Sequence, residues 1–245
     1  MSRLTRTILR SRAAAQAVSS FNRGLGTAGL KLVPSHTLDE AWVRMLLYLG
    51  GLIETIDGVA GDIVECGVAS GNSFAMLAAL NRHSNPPRRL WGFDSWQGLP
   101  TPLPEDVSTP SSAATRGAFS ASHEDLVFLR LEQYGFKRSD LGHATLVRGP
   151  FAETLPRCPV DQIALLHLDV DLYDSYRTCL THLWPKVVPN GIVAFDEYGL
   201  DDAWPGARLA VDEFFADKPG QLEMQRDPRA SRHYAIKRVD PPGTP

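Results

Sequence analysis

The sequence predicts an α/β fold: a doubly wound parallel sheet with helices on both faces and an N-terminal helical extension. Two observations carry most of this. Near-continuous apolar runs at Ile163 to Leu168 and Ile192 to Phe195 suit strands covered on both faces of a parallel sheet, and each run ends in acid. Asp169 and Asp171 follow the first, Asp196 and Glu197 the second. Upstream, Ile63 to Cys66 leads through a turn holding Gly67 and Gly71 into a helix over 73–82, the outline of a nucleotide-type first βα unit.

The totals bound the rest. A chain of 245 residues can bury a full α/β core, and one large domain over residues 36–240 is the simplest division. Hydrophobic residues at 43% and charged residues at 22% are ordinary for a globular chain, and a net charge of −3 gives no reason to expect a nucleic-acid partner. No apolar run approaches the roughly eighteen residues that span a bilayer. Cys66, Cys158 and Cys179 are odd in number and lack metal-ligand spacing, which fits small core residues in a reducing cytoplasm.

Residues 1–35 form a basic opening. Arg3, Arg6, Arg10, Arg12 and Arg23 precede the first acid of the chain, Asp39, and apolar residues fall on one helical face. Three readings stay open there: a helix packing on the domain or on a partner subunit, a transit peptide, or a membrane-surface helix. A homo-oligomer, dimer or higher, is expected. Thr37 then caps a helix with Glu40 as its capping-box partner, and Trp42, Leu46, Leu49, Ile53 and Ile56 keep the apolar spacing.

The second strand, Leu90 to Asp94, ends in an acid where a carboxylate commonly holds the hydroxyls of an adenosine ribose. A stretch at about 97–122 carries Pro100, Pro102, Pro104 and Pro110 without periodicity and reads as a structureless lid. A helix over 122–134, a third strand at 144–148 and a turn at Gly149 to Phe151 follow, and Phe151 is either an adenine-stacking residue or core. Beyond the acid-tipped strands lie helices over 174–184 and 207–216, and closing strands at 221–226 and 234–237. Asp174 reads as a helix cap. Asp169 and the Asp196–Glu197 pair should converge at the carboxyl edge of the sheet, where repelling carboxylates require a proton or a hard cation such as Mg²⁺.

These residues carry a resemblance. Glu65-Cys66-Gly67-Val68 with Ser70-Gly71, Phe93-Asp94-Ser95-Trp96-Gln97-Gly98-Leu99-Pro100, Leu168-Asp169-Val170-Asp171-Leu172-Tyr173-Asp174-Ser175 and Asp196-Glu197-Tyr198-Gly199 with Pro205-Gly206-Ala207-Arg208 resemble the macrocin O-methyltransferase family over roughly residues 35–217. The resemblance implies a Rossmann-like class I methyltransferase that uses S-adenosylmethionine and Mg²⁺ to methylate a sugar or other natural-product hydroxyl. It implies that Glu65, Gly67, Ser70 and Gly71 line the S-adenosylmethionine site and that Asp94 holds the ribose; Ser73, Ser95 and Phe151 are further candidates for that site. It also implies Asp169, Asp196 and Glu197 as metal ligands. Two departures stand out: Glu197 is one methylene longer than the family's usual Asp, and Ala69 occupies a frequent glycine position.

Proton removal from a bound hydroxyl needs a base, for which Asp169 and His123 are the candidates. His167 alternates with Asp169 and Asp171 and is either a buried strand histidine or part of a His-x-Asp metal motif. The second reading would make the chain a metal-dependent oxygenase of cephalosporin-hydroxylase type. A non-catalytic binding protein is the third alternative.

Overall fold

The computed structural model describes residues 40–120, 123–137 and 142–238. The expected basic extension at 1–35, the Thr37 cap and the end of the lid at 121–122 lie outside the described residues.

Seven strands form one sheet in the order β3-β2-β1-β4-β5-β7-β6. They are β1 (Asp62–Cys66), β2 (Leu90–Asp94), β3 (Ala144–Arg148), β4 (Ile163–Leu168), β5 (Val187–Phe195), β6 (Leu222–Asp227) and β7 (Arg232–Lys237). β1 to β5 run parallel, and β7 returns antiparallel against β5 with β6 outside it. Among the described residues six α-helices accompany the sheet: α1 (Glu40–Thr55), α2 (Asn72–Asn81), α3 (Glu124–Gln133), α4 (Phe151–Thr154), α5 (Tyr173–Leu183) and α6 (Pro205–Phe215).

Central strands this apolar need cover on both faces, and they have it. Every residue of β4 is buried. One face packs Val64, Leu166 and Val193 against Tyr176, Leu180 and Val211 of α5 and α6. The other packs Ile63, Leu165 and Ile192 against Leu49 of α1, Phe74 of α2 and Leu131 of α3. Burial of each such side chain contributes about 1.5–3 kcal/mol.

The register sets the functional edge. Cys66 lies beside Leu168, and Leu168 beside Phe195, so three strands end level. The Asp169 N–H donates to the Cys66 carbonyl at 3.0 Å, and the Asp196 N–H to the Leu168 carbonyl at 2.9 Å. Acids 27 positions apart in the chain thus become neighbours.

β5 is longer than the Ile192–Phe195 run, but its ladder breaks: Val187 pairs with Ile163, and pairing resumes at Ile192. Between them Pro189 has no N–H to give, and Asn190 is left-handed at φ 63°. The lid also departs from expectation, because it is not structureless. A 3₁₀ turn spans Pro104–Val107, and Leu99 and Gly117 are tied by backbone hydrogen bonds across the loop.

Asp106 holds the lid. It is 2% exposed. Its carboxylate accepts the Tyr173 N–H at 2.7 Å and the Leu103 N–H at 2.9 Å, which clips the loop to the start of α5. A Cβ on Gly206 would fall 2.0 Å from Asp106 Oδ1, so only glycine lets α6 approach this carboxylate.

Gly67 is the tightest point of the edge. At φ 89°, its added Cβ would lie 1.6 Å from the Asp169 carbonyl oxygen. Ala69, in contrast, tolerates its methyl at φ 46°. In urea denaturation, Gly67→Ala is expected to lose at least about 3 kcal/mol, whereas Ala69→Gly stays within about 1 kcal/mol because relieved strain offsets chain entropy. Equal stability of the two variants would contradict this reading.

Candidate active site

A cavity of about 810 Å³ opens at the carboxyl edge of β1, β2, β4 and β5, the place where doubly wound sheets bind ligands. Of the sequence-selected residues, Gly67, Ser70, Ser73, Asp94, Ser95 and Phe151 line it, as do Asp169 and Asp196. Glu65, Gly71, His123 and Glu197 stand outside its wall.

The β1 turn is held by the β2 acid. The Ala69 N–H donates to Asp94 Oδ2 and the Trp96 N–H to Asp94 Oδ1, both at 2.7 Å. The Trp96 indole N–H returns to the Ala69 carbonyl at 2.8 Å. This closed loop of bonds fixes two left-handed residues, Ala69 and Trp96 at φ 46° and 50°. Burial raises the Asp94 pKa even though backbone N–H groups pull it down. Each Asp94 oxygen accepts one backbone N–H and keeps acceptor capacity for a ligand hydroxyl.

Gly71 and Glu65 work behind the wall. A Cβ on Gly71 would meet the Val127 Cα at 2.8 Å, so this glycine lets α3 pack on the turn. Glu65 is fully buried and pairs with His167, Oε1 to Nδ1 at 2.9 Å. Burial alone would lower the His167 pKa; the hydrogen bond and charge of Glu65, with Asp169 and Asp196 beyond, raise it overall. His167 therefore serves a buried pair that joins β1 to β4.

Of the three acids expected to converge, Asp169 and Glu197 do, with Asp171 as the third member in place of Asp196. Asp169, Asp171 and Glu197 present oxygens that all lie within 4.8 Å of one another. Burial, then the charges of Asp196 and Glu197, push the Asp169 pKa well up. Burial, then Asp171 and Asp196, do the same to Glu197. Asp171 is pushed up to about 8 by burial and by Asp169, Asp196 and Asp94. It also sits in a left-handed conformation at φ 61°, which aims a non-glycine residue into the cluster at a steric cost. The Tyr176 hydroxyl donates to Glu197 Oε2 at 2.5 Å, so the longer acid is anchored from α5.

Asp196 stands slightly apart. Its Oδ1 lies 3.0 Å from the Arg232 Nε, and Arg232 lines the same cavity. Arg232 and Asp106 escaped the sequence reading. A cation on a strand and an acid in a Pro-rich loop look ordinary until the sheet closes around them. Asp174, read as a cap, also lines the cavity. His123 is the residue before α3, 7% exposed, with Nδ1 3.8 Å from Asp125. α1 contributes Ala41, Trp42 and Met45 to the cavity, and the lid contributes Leu99, Arg116 and Phe119.

Comparisons with known proteins converge on one family. The sequence profile of the macrocin-O-methyltransferase (TylF) family matches residues 43–226. A Streptomyces olivaceus protein, 8-demethyl-8-(2,3-dimethoxy-alpha-L-rhamnosyl)-tetracenomycin-C 4'-O-methyltransferase, is 36% identical over 68% of this chain and 64% of its own length. Demethyldecarbamoylnovobiocin O-methyltransferase of Streptomyces niveus is 33% identical over 75% of this chain and 70% of its own. Mycinamicin III 3''-O-methyltransferase of Micromonospora griseorubida is 29% identical over 64% and 61%. The chain thus spans about two thirds of the length of these relatives. Among solved structures, a calicheamicin methyltransferase superposes with a TM-score of 0.65 at 30% identity, covering 78% of this chain and 77% of that one. The O-methyltransferase NovP gives 0.64 at 28% identity, covering 80% and 81%.

The crowded acids make stability depend on pH. Asp171 has a folded pKa of about 8 against about 3.9 in an unfolded chain, so its contribution is complete below about pH 4 and is lost as pH rises through about 8. In chelator, the melting temperature is expected to fall by several degrees from pH 5 to pH 8.5, and Asp171→Asn to flatten that fall. A pH-independent melting temperature in the parent chain would contradict the repulsion.

Proposed function

The chain belongs to the macrocin-O-methyltransferase (TylF) family, and we propose that it transfers a methyl group from S-adenosylmethionine to a sugar hydroxyl of a natural product, with the help of Mg²⁺. The observation that carries this reading is one cavity flanked by both half-sites: a glycine-bearing βα turn with Asp94 on one side and the acid cluster on the other.

The cluster suits a hard divalent cation. Its donors are all carboxylate oxygens, and burial with mutual repulsion pushes the pKa of Asp169, Asp171 and Glu197 up, which supports a site whose ionised form a cation would stabilise. Asp169, Asp196 and Glu197 would hold the ion, which acts as Lewis acid and template for the acceptor oxygens. S-adenosylmethionine supplies an electrophilic methyl group on a sulfonium.

The chain's own residues do the remaining work. Gly67, Ser70, Asp94, Ser95 and Phe151 form the donor wall. Gly67 gives the donor its approach because the β1 turn carries no side chain there. Asp171 is a third candidate, beside Asp169 and His123, to take the proton from the acceptor hydroxyl once a bound cation offsets the charges that raise its pKa. It lines the cavity and borders the acids that would hold the ion; Asp169 lines the same cavity but would itself be a ligand, and His123 lies outside the wall. Trp42, Met45 and Phe119 supply apolar cover that keeps water from the reacting hydroxyl. The names of the relatives support a glycosidic acceptor, since one acts on a rhamnosyl-bearing tetracenomycin. The oxygenase reading lacks its ligands, because no histidine joins the cluster among the described residues.

A cytoplasmic setting is proposed from the three free, buried cysteines. A homo-oligomer is proposed from the exposed Trp42, Leu46 and Leu47 on α1. Among the described residues no helix is long and apolar enough to cross a membrane.

With labelled S-adenosylmethionine and a rhamnose-bearing acceptor, label is expected in the acceptor and EDTA should abolish transfer. Asp171→Asn should slow turnover by roughly 10²-fold or more, the scale of one acid–base group. Full activity in EDTA would overturn the metal role, and full activity of Asp171→Asn would overturn its assignment as base.

A further inference from the structure

We propose that Arg232 is a positioning residue that occupies Asp196 until the metal arrives, and so sets the metal affinity of the site. The inference rests on the metal reading above.

The topology delivers this guanidinium to the functional edge. β7 runs antiparallel to β5, so its N-terminal end reaches the carboxyl edge where the parallel strands finish. Phe195 pairs with His233, which leaves Arg232 and Asp196 as the next residues along each strand. Arg232 lies beyond the 43–226 span that defines the family match.

Its frame is rigid. Asp227 accepts the backbone N–H groups of Arg229 and Ala230 at 2.8 and 3.1 Å, which fixes the β6–β7 turn. The Tyr48 hydroxyl donates to the His233 carbonyl at 3.2 Å, and Arg44 Nη1 to the Arg229 carbonyl at 2.9 Å, so α1 braces the same turn. Arg232 and Asp196 side chains are only 21% and 13% exposed, which shields their 3.0 Å contact from solvent screening.

Charge explains why the pair forms. Among the described residues, the cavity is lined by five carboxylates, Asp94, Asp169, Asp171, Asp174 and Asp196, against two guanidinium groups, Arg116 and Arg232. Asp169, Asp171 and Glu197 meet within 4.8 Å, and Asp196 is drawn out of that group onto Arg232. The guanidinium offsets one carboxylate in the metal-free protein and competes directly for it when a cation binds. Loss of Arg232 removes the competitor and leaves one more uncompensated acid. Metal should then bind more tightly, while the metal-free protein becomes less stable.

The test is calorimetric titration of Mg²⁺ into the full chain and its variants, with circular dichroism to establish folding. Arg232→Ala should bind Mg²⁺ roughly tenfold more tightly, within the range reached by couplings between contacting residues. Arg232→Lys, which keeps the charge but loses the Nε that faces Asp196, should fall between parent and Arg232→Ala. Adding Asp196→Asn should erase the gain. Unchanged or weaker Mg²⁺ binding by folded Arg232→Ala would overturn the proposal. If that variant does not fold, unchanged or weaker binding by Arg232→Lys would do so. Absence of Mg²⁺ binding to the parent chain would instead overturn the metal reading, and this inference with it.

Discussion

Repulsion among carboxylates that share one buried edge is the constraint on which this protein turns. Strands ending level bring Asp169, Asp171 and Glu197 together with Asp196 beside them, and burial strengthens every like-charge contact. The fold sustains the arrangement because the sheet beneath is packed on both faces, and because local devices absorb part of the charge. Tyr176 donates to Glu197, Arg232 pairs with Asp196, and a charged His167 would lower Asp169 from below. What stays uncompensated is a site with the chemistry for a hard cation.

The donor side obeys a different constraint, which is backbone proximity. Gly67 presses against the Asp169 carbonyl, and Asp94 collects N–H groups from Ala69 and Trp96. One strand end therefore positions both half-sites: moving the β1 turn would move Asp169 as well. The lid belongs to the same frame. Asp106 clips it to the first residue of α5, immediately after the Asp171-Leu172 turn, so lid and acid cluster share an anchor.

Much of this was legible in the sequence, because the strongest signals are periodic or end in punctuation. The apolar runs of β4 and β5 and the glycine turn after β1 announced the sheet, and the acids at their ends announced its edge. The order of motifs announced the family. Other features were hidden because they depend on tertiary pairing. Pro-rich composition disguised an ordered lid whose anchor is one buried aspartate. Arg232 gains meaning only when an antiparallel strand carries it across to β5. Gly71 reads in the sequence as a ligand contact, and its packing against Val127 of α3 appears only in the folded chain. Asp171 joins the acid cluster through a left-handed backbone angle that spacing alone does not reveal.

The central claim is that one sheet edge assembles donor and metal half-sites side by side. A crystal soaked with S-adenosylhomocysteine and Mn²⁺, as an anomalously scattering substitute for Mg²⁺, tests it most directly. The account predicts one anomalous peak among Asp169, Asp196 and Glu197, with the ribose beside Asp94 in the same cavity. A metal bound elsewhere, or a nucleoside seated away from the β1 turn, would contradict it.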